Sequence, residues 1–74
     1  MAQPQYRYHC YVVCREMRNT GQKSLFLSSS YPPSSRDLLN TVDKLVTTFE
    51  SEKTLDDAYR HAVEWLNRQV VHIN

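Results

Sequence analysis

A chain of 74 residues has room for one small domain, and at this size folding buries only about 60% of the surface that the unfolded chain exposes. A hydrophobic content of 41% with 23% charged residues excludes an intrinsically disordered chain. The net charge of +1 provides no overall attraction to nucleic acid or to anionic membranes. We expect a single domain at residues 5–74, preceded by a disordered tail at residues 1–4.

The first element is a strand, predicted at about residues 5–16. Its centre, residues 6–14, holds three of the five tyrosines, both cysteines and two adjacent valines. Aromatic and β-branched residues at this density favour an extended backbone. The only glycine, Gly21, follows Asn19 and Thr20 and predicts a tight turn, after which a second strand is predicted at about residues 24–30. Together these segments predict an antiparallel β-hairpin.

The register of this hairpin determines which side chains of its two strands share a face. Pairing Cys14 with Leu27 keeps Arg15 out of the core and gives an inner face of Tyr8, Cys10, Val12, Cys14, Leu25 and Leu27. A slip of one residue would exchange the faces and place Leu25 and Leu27 with Tyr11, Val13 and Arg15. In the preferred register the outer face carries an aromatic and basic group: Arg7, His9, Tyr11, Val13, Arg15 and Phe26.

A serine- and proline-rich linker at residues 28–35 precedes the next predicted element, a helix at about residues 35–50. Ser34 or Ser35 would cap this helix, and Asp37 would favour its first turn through the helix dipole. Its apolar positions follow helical spacing and would form one stripe: Leu38, Val42, Leu45, Val46 and Phe49.

A second helix is predicted at about residues 55–70, with Thr54 as its N-cap and Asp57 three residues later. Its predicted buried stripe is Leu55, Tyr59, Ala62, Val63, Leu66 and Val70, widened by Ala58 and Trp65. The short link between the helices predicts an antiparallel pair. The expected fold class is therefore α+β, with a hairpin packed on two helices in the order ββαα. Residues 70–74 could continue the last helix or form a short C-terminal strand.

No residue pattern predicts a catalytic site, a metal site or a cofactor. Cys10 and Cys14 lie four positions apart on one strand, about 13 Å at strand spacing, which is too far for a disulfide. We interpret both as core cysteines, and free thiols favour a cytoplasmic protein. His61 and Glu64 share one side of the last helix, but two ligands do not define a metal site.

The function expected from these features is that of a non-catalytic interaction or regulatory protein. It would bind a protein partner, or a second copy of itself, through the outer face or the open edge of the hairpin. The candidate partner-binding residues are Arg7, His9, Tyr11, Val13, Arg15 and Phe26. The alternative is a module for single-stranded nucleic acid or RNA, with bases stacked on the same aromatic and basic face. Neither a membrane partner nor a small-molecule substrate is expected.

Overall fold

The computed structural model describes residues 7–34 and 37–71. Its elements are three strands, β1 (Tyr8–Met17), β2 (Lys23–Ser28) and β3 (Thr41–Ser51), followed by one helix, α1 (Leu55–Val71). The strands form an antiparallel sheet in the order β2-β1-β3. The predicted ββαα order is therefore wrong, because the chain folds as βββα. The expected tail at residues 1–4 and the end of the possible C-terminal strand lie outside the described residues.

The predicted helix at residues 35–50 is in fact the strand β3. Asp37 does organise one local turn: its carboxylate accepts hydrogen bonds from the Leu39 N–H at 3.1 Å and from Asn40 Nδ2 at 2.8 Å. The bond from Asn40 lowers the pKa of Asp37. From Thr41 onward, β-branched residues favour the extended backbone, and β3 pairs along the whole length of β1.

A β-bulge in β3 explains why the sequence resembles a helix. Val12 pairs with Thr47 and Val13 with Leu45, so Val46 is an extra residue on β3. The inserted residue shifts the alternation of the side chains by one position. The apolar residues of β3 therefore no longer alternate with period two, and their spacing matches a helical period instead.

The hairpin of β1 and β2 is confirmed, with its turn at Gly21, the one described residue with a positive φ (71°). The register differs by two residues from the prediction, since Cys14 pairs with Leu25 and Val12 with Leu27. A shift of two residues leaves every side chain on its predicted face. The face assignment is therefore correct although the individual pairs are not.

Helix α1 confirms the second predicted helix, and Thr54 caps it by accepting a hydrogen bond from the Asp57 N–H at 3.1 Å. The buried part of the helix differs from the predicted stripe. Ala58 and Ala62 are fully buried, whereas Leu55 and Val63 are exposed. The helix is thus rotated so that its small residues face the sheet.

The core lies between α1 and the inner face of the sheet. Cys10 and Val12 of β1 meet Ala58 and Ala62 there, with partly buried side chains around them: Leu27, Phe49, Tyr59, Trp65 and Leu66. The ring centroids of Phe49 and Trp65 are 6.2 Å apart. Among the described residues, no side chain larger than valine is fully buried. Within this part of the chain, no helix is both long and apolar enough to cross a membrane.

The connection from the end of β2 to the start of β3 joins opposite edges of the sheet and is described at residues 29–34 and 37–40. Its Tyr31 lies on the outer face, because the ring of Tyr31 is 6.2 Å from that of Tyr11. Val13 points to this face between Phe26 and Leu45 and is completely buried. The outer face, expected to be open, is therefore partly covered by the chain itself.

Candidate functional site

The predicted site residues at the start of β1 form an ionic cluster with carboxylates from the end of β3. Arg7 lies 3.0 Å from Glu50 and 3.3 Å from Glu52. His9 Nε2 lies 3.2 Å from the other carboxylate oxygen of Glu50. Antiparallel pairing of β1 with β3 places His9 directly opposite Glu50, so both side chains point to the outer face.

Three aromatic rings continue from this cluster along the outer face. His9 and Tyr11, two residues apart on β1, stack with ring centroids 5.8 Å apart and an angle of 15° between their planes. Tyr31 of the connection follows Tyr11 at 6.2 Å. We call His9, Tyr11 and Tyr31 the aromatic row. It presents a half-exposed surface of rings beside the ionic cluster.

Arg15 lies at the other end of the outer face, where it is paired with Asp43. Its Nε donates to Asp43 Oδ1 at 2.8 Å and its Nη2 donates to Asp43 Oδ2 at 3.0 Å. The guanidinium also lies over the ring of Phe26, 4.6 Å from the centroid. The hydrogen bonds to Asp43 raise the pKa of Arg15. This arrangement holds Arg15 against the sheet, and its side chain is 23% exposed.

The six predicted residues are therefore on one face but not in one patch. Arg7, His9 and Tyr11 lie together, Arg15 and Phe26 form a second group, and the fully buried Val13 lies between them. The sequence interpretation missed the residues that complete both groups: Tyr31, Asp43 and Glu50. The density of β-branched residues around Asp43 and Glu50 was the available signal, since it favours a strand that could pair with β1.

The pairing changes the electrostatics expected of this face. Every basic side chain predicted to lie on it is matched by a carboxylate: Arg7 and His9 by Glu50, and Arg15 by Asp43. Glu50 and Asp43 of β3 thus offset the positive charges of Arg7 and Arg15 on this face. A phosphate backbone would have to displace these carboxylates before it could use the same cations.

A cavity of about 200 Å³ lies between the connection and the start of β3. Its lining includes Tyr31, Pro32 and Leu38 from the connection, and Thr41 and Asp43 from β3. Small-molecule sites usually have volumes of about 300–1,000 Å³. This cavity is therefore smaller than the usual small-molecule site.

The two cysteines have different surroundings on the inner face. Cys10 is fully buried in the core, and burial raises the pKa of its thiol. Cys14 lies opposite Leu25 and is half-buried, so only Cys10 is the fully buried core cysteine that the sequence predicts. In the described residues, no three His, Cys, Asp or Glu side chains come together as a possible metal site.

Apolar side chains outside the core form the other prominent feature of the surface. Leu25 of β2 is 46% exposed, and Val46 at the bulge of β3 is 44% exposed. Val63 of α1 and Leu45 of β3 are exposed to a similar extent, and Leu38 and Leu39 in the connection are exposed further. For a chain whose core contains no fully buried side chain larger than valine among its described residues, this is a large share of apolar surface left in water.

No protein-family model, curated protein or solved structure matches this chain. The site therefore has to be interpreted from its own geometry.

Proposed function

We propose that this protein is a non-catalytic interaction protein that associates with a second copy of itself or with another protein. The observation that carries this proposal is the contrast between a core of small side chains and the large apolar side chains outside it. Among the described residues, the fully buried hydrophobic ones are Cys10, Val12, Val13, Ala58 and Ala62, whereas Leu25, Leu45, Val46 and Val63 remain exposed. Burying the exposed part of one such side chain, a little under half of it, would add about 0.7–1.4 kcal/mol.

The size of the chain supports the same proposal. A domain of about 70 residues has a slim margin of stability from its own core, and association is one of the common ways to increase it. The small volume of the cavity near Tyr31, about 200 Å³, favours a role in protein binding over a catalytic role. The paired cations of the outer face favour a protein partner over nucleic acid. A cytoplasmic location, expected from the free thiols, belongs to the same proposal.

Urea denaturation at several protein concentrations tests the self-association. If folding is coupled to dimer formation, each tenfold increase in protein concentration stabilises the dimer by about 1.4 kcal/mol, and the urea midpoint rises by that energy divided by the m-value. Sedimentation velocity over about 1–500 µM gives the mass of the folded species at the same concentrations. A folded monomer with a concentration-independent midpoint would contradict self-association and leave only a different protein as the partner.

A further inference from the structure

The two edges of the sheet are protected to different degrees. Exposed strand edges are usually blocked by bulges, charges or prolines, because their free N–H and C=O groups can pair with another strand. β3 has the bulge at Val46 and the charged residues Asp43, Lys44 and Glu50. β2 is regularly paired with β1 and carries a single charge, Lys23, at its first position. The edge of β2 is thus the one available for pairing.

The inner face beside β2 is also open. Helix α1 packs on β1 and β3, and Trp65 identifies the flank of the helix that faces β3 through its contact with Phe49. At about 100° per residue, Val63 lies about 140° around the helix from Ala58, on the flank away from Trp65. Leu25 is exposed on the inner face of β2, and Val63 is exposed on the side of α1 away from Trp65, so apolar side chains remain uncovered on the helix side of the sheet above β2.

We propose, resting on the self-association proposed above, that a second copy of this chain covers this surface by antiparallel pairing of β2 with its own β2. A two-fold axis perpendicular to the sheet relates the copies, as an isologous contact requires. The three-stranded sheets join into one sheet of six strands, with both helices on the same side. The open surfaces above each β2 then meet between the two helices.

The side chains of β2 select one register for this pairing. A perpendicular two-fold axis requires residues of the same face to lie opposite each other. With Phe26 on the axis, Leu25 lies opposite Leu27 of the second copy, Ser24 lies opposite Ser28, and Lys23 falls outside the paired segment. With Leu25 on the axis, Lys23 would lie opposite Leu27 and its charge would be placed against an apolar side chain. The first register is therefore the favoured one.

The interface is tested with Leu25→Lys and a matched control, Val46→Lys. Both exchange an exposed apolar strand residue of nearly equal exposure, 46% and 44%, for the same charged one, but on opposite edges. We expect Leu25→Lys to weaken dimerisation at least about 100-fold, because two apolar contacts are lost per dimer. Val46→Lys should change it less than about threefold. Sedimentation velocity measures both, and circular dichroism verifies that each variant is folded.

The register is tested by cysteine cross-linking in a Cys14→Ser background. Phe26→Cys places two thiols on the two-fold axis, with Cα atoms about 4.5–5.5 Å apart, which a disulfide can span. Ser24→Cys, on the same strand and face, places them four positions apart along the strands, about 13 Å, which is too far. Under mild oxidation the Phe26→Cys variant should form a covalent dimer and the Ser24→Cys variant should not.

The outcomes separate this inference from the proposed function. A dimer that survives Leu25→Lys but dissociates with Val46→Lys would overturn the β2 interface and leave self-association intact. Equal cross-linking of the two cysteine variants would overturn the register. A wild-type chain that sediments as a monomer at every concentration would overturn both the self-association and this interface.

Discussion

Arg15 illustrates how the role of one residue depends on a strand far away in the sequence. On the hairpin alone it is an outward-pointing cation beside Phe26, available to a ligand. In the folded protein β3 brings Asp43 opposite to it, and the two side chains form a two-point ion pair over the sheet. Asp43 is only 10% exposed, and its carboxylate accepts two charge-assisted hydrogen bonds from this guanidinium.

Arg15→Ala should lower the free energy of unfolding by about 1–3 kcal/mol, because it removes two charge-assisted hydrogen bonds to a mostly buried carboxylate. The matched control is Arg7→Ala, since Arg7 is also paired but is 42% exposed. An exposed pair of that kind contributes about 0–1 kcal/mol. Urea denaturation of the two variants at equal protein concentration measures the difference. Equal losses in both would show that burial does not distinguish the two ion pairs.

Asp57 makes the stability depend on pH at the start of α1. Ser51 Oγ donates to Asp57 Oδ2 at 2.8 Å, and this bond, with the nearby charges of His61 and Arg60, lowers the pKa of Asp57. The unfolded chain therefore binds this proton at a higher pH than the folded chain. The resulting stability is complete above about pH 5 and is lost as the pH falls through the lowered pKa of the folded state.

Asp57→Asn should consequently reduce the loss of stability between about pH 5 and pH 2, because asparagine keeps an oxygen acceptor but does not titrate. Thermal unfolding followed by circular dichroism at several pH values measures this slope. Asp56→Asn is the control, since it removes a neighbouring carboxylate that does not accept the Ser51 hydrogen bond. A slope unchanged by Asp57→Asn would mean that the acid sensitivity arises elsewhere.

The secondary-structure elements differ in how well residues close together in the sequence predict them. α1 begins with a cap and a turn of acidic residues, all within a few positions, and its bounds are close to those predicted. The hairpin likewise has its turn signal and its strand residues in one continuous segment. β3 lacks such a signal: its turn at Asp37 resembles the start of a helix, and its bulge at Val46 disrupts the period-two pattern.

At the hairpin turn, Gly21→Ala should destabilise the protein by about 1–2 kcal/mol. The cause is conformational, because φ is +71° and an added Cβ would meet no atom within 4 Å. Gly21→Asn should cost less, since asparagine tolerates this backbone conformation better. Urea midpoints of the two variants provide the comparison. If alanine and asparagine are equally destabilising, the left-handed conformation is not the source of the cost.

At the scale of the whole molecule, the third strand changes the distribution of charge. The basic residues of β1 and the acidic residues of β3 meet on the outer face, which leaves a surface of paired charges beside the aromatic row. The two surfaces of the sheet also differ in what covers them. A helix covers the β1 and β3 side of the inner face, and Tyr31 of the connection between β2 and β3 lies on the outer face.

We expect the protein not to bind a random single-stranded oligonucleotide at about 150 mM salt, where unpaired phosphate contacts would be needed. Fluorescence anisotropy measures this. Glu50→Gln, which removes the carboxylate that His9 and Arg7 share and leaves Arg7 paired with Glu52, should raise the low-salt affinity, whereas Glu64→Gln on α1 makes the same change in charge and should not. Wild-type binding that falls steeply with salt and is lost in Arg7→Ala would favour the nucleic-acid alternative.

The sequence by itself determined the features whose causes are local: the hairpin turn at Gly21, the faces of β1 and β2, and the helix that begins after Thr54. Alternation along β1 kept the face assignment correct even with the register displaced by two residues, because the side-chain period is two. Only the tertiary structure decided the backbone conformation of residues 41–51. Their helical spacing arises from a bulge, and their extended conformation depends on a pairing with β1 that local preferences do not encode. The pairing of Arg7, His9 and Arg15 with carboxylates, and the burial of Val13, follow from that one strand.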